Sequence, residues 1–174
     1  MALDSSALAR PDYRTKVIPR DQARAAVEAL RTDGRKIVFT NGCFDVLHRG
    51  HAHYLWQASL LGDVLVVGVN ADESVRALKG PTRPVMPEAE RVELVAALEF
   101  VGLVVLFPEV DVVSLLEELQ PEVYVKGGDY TLDTINQDER RVVESYGGRI
   151  EILDHIPGTS TTDVIAKIRQ EIER

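Results

Sequence analysis

Lys36-Ile-Val-Phe-Thr40-Asn-Gly-Cys-Phe-Asp45-Val-Leu-His48-Arg-Gly50-His51-Ala-His-Tyr-Leu55 is the stretch on which the reading of this chain turns. The apolar run Ile37-Val38-Phe39 stops at Asn41-Gly42. Two histidines flanking Gly50 then precede the helically spaced apolar residues Tyr54, Leu55, Ala58 and Leu61, which Gly62 ends. The pattern predicts a strand, a turn and a helix start. His48 and His51 share one face of that start, beside backbone N–H groups that have no intrahelical partner. Such a place suits a phosphate that gains negative charge, because imidazole donates a hydrogen bond or carries charge near neutral pH. The structural alternative makes one histidine a helix cap and the other a core residue.

Working outward, the same alternation repeats. Ala23, Val27 and Leu30 mark an amphipathic helix from Asp21 to Arg31, while residues 1–18 show no period and read as a loose N-terminal arm. Asp63 to Val69 is a nearly continuous β-branched run, as expected for a strand buried on both faces of a parallel sheet. Asn70-Ala-Asp72 is expected to cap a helix to about Leu78, and a Pro- and Gly-punctuated loop, Lys79 to Pro87, follows. Further helices are expected over Glu88 to Leu98, Asp111 to Leu119, Glu139 to Tyr146 and Asp163 to Glu173. They alternate with strands at Leu103 to Phe107, Val123 to Val125 and Arg149 to Leu153. The fold class is α/β: a Rossmann-like, doubly wound parallel sheet of five strands with helices on both faces. Such sheets bind ligands beyond the carboxyl ends of their strands. Residues 40–51, 126–129 and 155–162 therefore face one crevice.

Composition limits the function classes. With 174 residues, 45% apolar and 28% charged, the chain has the profile of one globular domain. Its net charge of −8 argues against broad binding to nucleic acid or to an anionic membrane. No apolar run is long enough to span a bilayer, the first residues lack a signal-peptide pattern, and the single cysteine, Cys43, fits a reducing compartment. A cytoplasmic protein is expected. The first turn lacks the Gly-x-Gly-x-x-Gly and Gly-Lys-Ser/Thr patterns, which removes Rossmann dehydrogenases and P-loop ATPases.

Three other clusters join the histidines. Pro157-Gly-Thr-Ser160-Thr161-Thr162 sets four hydroxyls at a helix start, where hydroxyls and free N–H groups together hold phosphate oxygens or simply cap the helix. Lys126 before Gly127-Gly128 adds a cation, and Asp129 an acceptor for a ribose hydroxyl or a metal-bound water; the alternative is a tight surface turn. Lys79, Arg83 and Arg91 lie in or just after the long loop, which can close over a substrate. Cys43 near His48 or His51 raises a thiol nucleophile as an alternative, with no third orienting group evident. His53 and His155 have structural readings.

Thr40 to His51 resembles the first signature of the His-x-Gly-His nucleotidyltransferases, and Ser160-Thr161-Thr162 resembles their second. Within that superfamily, residues 39–51, Val69 to Val75, Arg83-Pro84 and Val125 to Tyr130 look most similar to D-glycero-β-D-manno-heptose 1-phosphate adenylyltransferases, with glycerol-3-phosphate cytidylyltransferases as close relatives. The resemblance implies one nucleotidyltransferase domain over residues 19–174. It implies transfer of AMP from ATP to a sugar 1-phosphate with release of pyrophosphate, Mg²⁺ carried mainly on the nucleotide phosphates, no protein metal ligands and a homodimer. By the same carry-over, His48, His51 and Lys79 are catalytic. Thr40, Asn41, Gly42, Cys43, Phe44, Arg91, Gly128, Asp129, Ser160, Thr161 and Thr162 hold the nucleotide, and Lys126 and Arg83 meet the substrate phosphate. His155 stands where the cytidylyltransferases carry Arg, a departure that bears on the base. The heptose enzymes are fused in many bacteria to a sugar kinase, so a kinase partner is expected to be a separate protein. An inactive nucleotide-binding regulatory module is the alternative from another class.

Overall fold

The computed structural model describes residues 11–128, 130–154, 156, 158 and 160–172. Within them six strands, β1 (Val17–Ile18), β2 (Ile37–Gly42), β3 (Val64–Asn70), β4 (Leu103–Phe107), β5 (Val123–Gly127) and β6 (Arg149–Leu153), form one sheet in the order β1-β4-β3-β2-β5-β6. Every pairing is parallel. The helices are α1 (Ala23–Thr32), α2 (Arg49–Ser59), α3 (Asp72–Lys79), α4 (Glu88–Ala96), α5 (Val113–Leu119), α6 (Gln137–Ser145) and α7 (Thr161–Ile172).

The sheet has six strands where five are expected. The sixth, β1, is too short to show a period, and tertiary pairing creates it: Val17 and Ile18 lie against Val104 and Val105 at the β4 edge. Before it a 3₁₀ turn, Tyr13–Lys16, is tied to the domain by Tyr13 Oη donating to Glu93 and Lys16 Nζ donating to the Leu98 carbonyl at 3.0 Å. Residues 11–18 thus pack on the domain, and residues 1–10 lie outside the described residues.

Alternate strand residues build two cores. Val38, Val67, Val69, Val104, Val123 and Val125 face Leu55 and Ala58 of α2 and Val92 and Val95 of α4. Ile37, Phe39, Val66, Val105, Phe107 and Tyr124 face Val27 of α1, Leu115, Leu116 and Leu119 of α5 and Val143 of α6. The period of two sends successive side chains to opposite faces, and both faces are covered, which is why these strands read as unbroken apolar runs.

This topology fixes the site. From β2 the chain winds outward through β3 to β4, then returns to place β5 on the other side of β2. The order reverses between β2 and β5, so the Gly42 and Gly127 ends of those strands flank the switch point. Tyr54 of α2 props this edge. Its hydroxyl lies 2.6 Å from Thr40 Oγ1 and donates to the Val125 carbonyl at 3.1 Å, and its ring is so close to Gly127 that a Cβ there would come within 2.5 Å of it.

One helix start departs from expectation. Asn70 ends β3, and Ala71 is the α3 N-cap without a side-chain bond. The cap comes from Glu88, which accepts from the Asp72 amide at 2.7 Å.

Candidate active site

The switch point opens into a cavity of about 760 Å³ lined by the loop after β2, the α3 end and the loop beyond it, the β5 end, the α6 start and the α7 start. Of the residues expected to form the site, Asn41, Gly42, Cys43, Phe44, His51, Lys79, Arg83, Lys126, Ser160, Thr161 and Thr162 line it. Thr40, His48, Arg91 and Gly128 do not. Asp129, His155, Pro157 and Thr159 lie outside the described residues.

His48 is the N-cap of α2, its Nδ1 accepting from the Gly50 amide at 3.1 Å. That bond fixes the tautomer: the neutral ring carries its proton on Nε2, at its other edge. The His48 ring stacks on His51 with centroids 3.9 Å apart, and Phe44 meets His51 edge-on at 5.3 Å. Phe44 takes a left-handed φ of 46°, which turns its ring inward, against Gly42. Burial, with the neighbouring His48 second, pushes His51 down to about 4, offset in part by the Val46 backbone. Burial also lowers His48, against the pull of Asp163. Both rings are therefore neutral at pH 7 in the ligand-free protein, His48 with its proton on Nε2. The cap reading of His48 holds, and the capping bond leaves Nε2–H uncommitted.

Opposite, Ser160 and Asp163 form a reciprocal capping pair at the start of α7. Asp163 N donates to Ser160 Oγ at 3.1 Å, and Ser160 Oγ donates to Asp163 Oδ2 at 2.8 Å. The Ser160 hydroxyl is thus committed within the helix start, while Thr161 and Thr162 face the cavity.

The cations divide sharply. Arg91 is fully buried beneath the floor, where it donates from Nη1 to the Cys43 carbonyl at 2.5 Å, from Nε to the Met86 carbonyl at 3.0 Å and from Nη2 to Asp72 at 2.8 Å. Expected beside the triphosphate, it instead locks the loop after β2 to α3 and to the segment before α4. Arg83 lines the cavity but is bonded to Asp45, a buried carboxylate that also accepts from the Val85 and Met86 amides at 2.7 and 3.0 Å. Lys126 pairs with Glu139 at 3.1 Å. Among the described residues lining the cavity, Lys79 alone of the cations has no carboxylate in salt-bridge range. Thr40 is buried under the floor, with Oγ1 donating to the Val125 carbonyl at 2.9 Å.

Cys43 is half-buried, and desolvation raises its thiol above the usual range. A thiol in that state is less readily ionised and so a weaker nucleophile, which counts against the thiol reading. Sequence reasoning missed Asp45, Tyr54, Asn70, Asp111, Tyr130, Asn136 and Glu139, all in the wall. Asp45 was within reach, since it sits inside the first signature.

A parallel sheet with a cavity at its switch point, walled by His51 of α2 on one side and by the hydroxyl residues Thr161 and Thr162 of α7 on the other, has the architecture of a Rossmann-like nucleotidyltransferase domain. Residues 39–167 match the cytidylyltransferase-like family model, and the chain belongs to that family. It is 52% identical over 161 residues to the bifunctional protein HldE of Geotalea uraniireducens (strain Rf4), covering 92% of this chain and 32% of that protein. It is 51% identical over 154 residues to the HldE of Acidiphilium cryptum (strain JF-5), covering 88% and 31%. The chain therefore spans about a third of the length of these curated relatives. Among solved structures, the lipopolysaccharide core biosynthesis protein from Thermoplasma volcanium GSS1 superposes with a TM-score of 0.58 at 31% identity, over 71% of this chain and 98% of that one.

Proposed function

We propose that this chain transfers AMP from ATP to a sugar 1-phosphate, D-glycero-β-D-manno-heptose 1-phosphate, giving ADP-heptose and pyrophosphate. The observation that carries this reading is the pair of helix starts on one switch-point cavity, α2 with His51 in the wall and His48 stacked on it, and α7 with Thr161 and Thr162. The sequence resemblance and the bifunctional relatives narrow it to the heptose substrate. In the reaction an acceptor phosphate oxygen bonds to the α-phosphorus, the bond from that phosphorus to the α,β-bridging oxygen breaks, and pyrophosphate leaves. Little covalent chemistry falls to the protein, which positions the reactants and stabilises charge.

The backbone at Gly42, Cys43 and Phe44 follows the triphosphate in this reading, and the imidazole N–H groups of His48 and His51 stabilise charge developing on its oxygens. Lys79, the cation without a carboxylate partner, supplies the mobile positive charge. By the sequence resemblance Asn41, Gly128 and Asp129 are assigned to the nucleotide, and Arg83, held by Asp45, to the acceptor phosphate. A Mg²⁺ arriving on the triphosphate neutralises phosphate charge and needs only one or two carboxylates besides water. A homodimer, and a cytoplasm that supplies ATP and sugar phosphate, complete the proposal.

The test is a matrix of ATP, CTP, GTP and UTP against heptose 1-phosphate, other sugar phosphates and glycerol 3-phosphate, read as pyrophosphate release. ATP with the heptose phosphate is expected to lead. CTP with glycerol 3-phosphate leading would reassign the substrates, and no release from any pair would overturn the enzyme reading.

A further inference from the structure

Glu139 is out of keeping with a site built for phosphates. It lies in the first turn of α6, is only 4% exposed, and yet forms part of the cavity wall. Lys126 Nζ approaches its Oε2 at 3.1 Å, and Tyr124 Oη donates to the same oxygen at 2.8 Å. Tyr124 is wholly buried, and its hydroxyl also lies 3.0 Å from Asn41 Oδ1. One proton faces two acceptors there, and the carboxylate is the stronger. Burial and Glu139 together raise the Tyr124 pKa well above its usual value, so that proton stays in place. The Lys126 ammonium is further confined between the rings of Tyr124 and Tyr130, 5.4 and 5.9 Å from their centroids.

A buried ion pair adds little to stability compared with well-packed apolar residues, so fold stability gives a weak account of a carboxylate here. Its charge bookkeeping does better. Lys126 and Glu139 cancel, which leaves this end of the cavity without attraction for an anion, and a phosphate brought beside the carboxylate meets repulsion. The Lys126 and Tyr124 contacts both fall on Oε2, leaving Oε1 for a ligand. An ionised carboxylate oxygen only accepts hydrogen bonds. Beside it, Asn136 caps α6 through its Oδ1, which accepts from the Asp138 amide at 2.9 Å, so the group Asn136 has left to offer is its NH₂ donor. An acceptor and a donor side by side match a hydroxyl pair, or an amine next to a ring nitrogen.

We propose that Glu139, oriented by Lys126 and Tyr124 and flanked by Asn136, binds a neutral hydrogen-bond-donating part of a substrate, a sugar hydroxyl or an exocyclic amine, and lies outside the phosphate site. The proposal rests on the nucleotidyl-transfer reading for its two sources, the nucleoside of the triphosphate and the sugar of the acceptor. Lys126 is then a positioning residue for Glu139 rather than the ligand of a substrate phosphate.

The test uses the whole chain and equilibrium binding by calorimetry, with inorganic tripolyphosphate, α,β-methylene ATP and the sugar 1-phosphate as probes, for the wild type and Glu139→Gln. Losing a hydrogen bond to a charged group is expected to weaken one organic ligand about tenfold or more. Tripolyphosphate, which has nothing to place at Glu139, is expected to bind within about twofold. Loss confined to the ATP analogue assigns the nucleoside, and loss confined to the sugar phosphate assigns the acceptor. Unchanged binding of both, or a change in tripolyphosphate binding as large as theirs, overturns the proposal. Because Glu139→Gln leaves Lys126 unpaired, Tyr124→Phe provides a second variant that keeps the ion pair and removes only the orienting hydroxyl, with the same pattern expected at a few-fold. Failure of the enzyme reading would show separately, as absent pyrophosphate release by the wild type, since binding needs no turnover.

Discussion

His48 combines two functions that substitution can separate. Its Nδ1 caps α2 through the Gly50 amide at 3.1 Å, and the same bond leaves Nε2–H as the donor for a ligand. Asparagine places an amide oxygen close to where Nδ1 lies and is among the best N-caps, so His48→Asn should keep the cap and lose the donor. His48→Ala loses both. A lost cap costs about 1 kcal/mol of stability. A lost transition-state donor costs about a hundredfold or more in kcat. The expected result is therefore that both variants fall about a hundredfold in kcat for pyrophosphate release, while only His48→Ala unfolds at a lower urea concentration, by about 1 kcal/mol. Steady-state kinetics and urea titration on the same preparations read the two effects. If His48→Asn keeps wild-type kcat, the ring is a cap and nothing more, and the catalytic reading of the stacked pair fails.

Lys79→Met should lower kcat/KM for the triphosphate by about tenfold, a modest figure because this exposed cation acts through solvent; no change would move the positive charge elsewhere. Arg91→Met should act on stability, since it leaves the Cys43 and Met86 carbonyls and Asp72 without a buried partner. About 3 kcal/mol is expected, seen as a fall of roughly 10 °C in Tm, and an intact Tm with raised KM would restore Arg91 to the nucleotide. Acid should weaken the fold through His51: held near 4 against the ordinary 6.5, it binds fewer protons in the folded than in the unfolded state across that window. Its contribution is present above about 6.5 and lost as pH falls towards 4, on the order of 3 kcal/mol in all. Comparing urea midpoints at pH 7.5 and 4.5, His51→Phe should flatten that dependence.

The parallel sheet was legible because both of its faces are covered, which writes β2, β3 and β4 as unbroken apolar runs. Val17-Ile18 was not, since two residues carry no period and only the β4 edge makes them a strand. The α3 cap was misplaced for a related reason: its acceptor, Glu88, is 16 residues downstream and arrives through the tertiary fold. In the site, the loop after β2 and the hydroxyls at α7 could be read because backbone groups and glycine do much of their chemistry locally. Arg91, Arg83 and Lys126 could not be sorted. A cation that faces a ligand and one that is folded into a carboxylate look alike in one dimension, and Asp45, Asp72 and Glu139 reach them from other elements. Glu139 itself reads as part of a polar helix face until α6 is packed.

These pairings bear on how the pocket attracts a polyanion. The chain carries a net charge of −8, and in the cavity wall Asp45, Asp111 and Glu139 balance Lys79, Arg83 and Lys126. Among the described wall residues formal charge is thus balanced, and on the proposed reading the grip on a triphosphate leans on short-range, directional donors: two helix starts, the stacked imidazoles and Lys79. Neutral donors serve a phosphoryl-type transfer well, because they hold the starting phosphates without fixing them as strongly as buried cations would and strengthen as charge grows on the departing oxygens. The buried arginine contributes by geometry instead. It takes the carbonyl of Cys43 as an acceptor and so ties the turn after β2 to the buried base of α4.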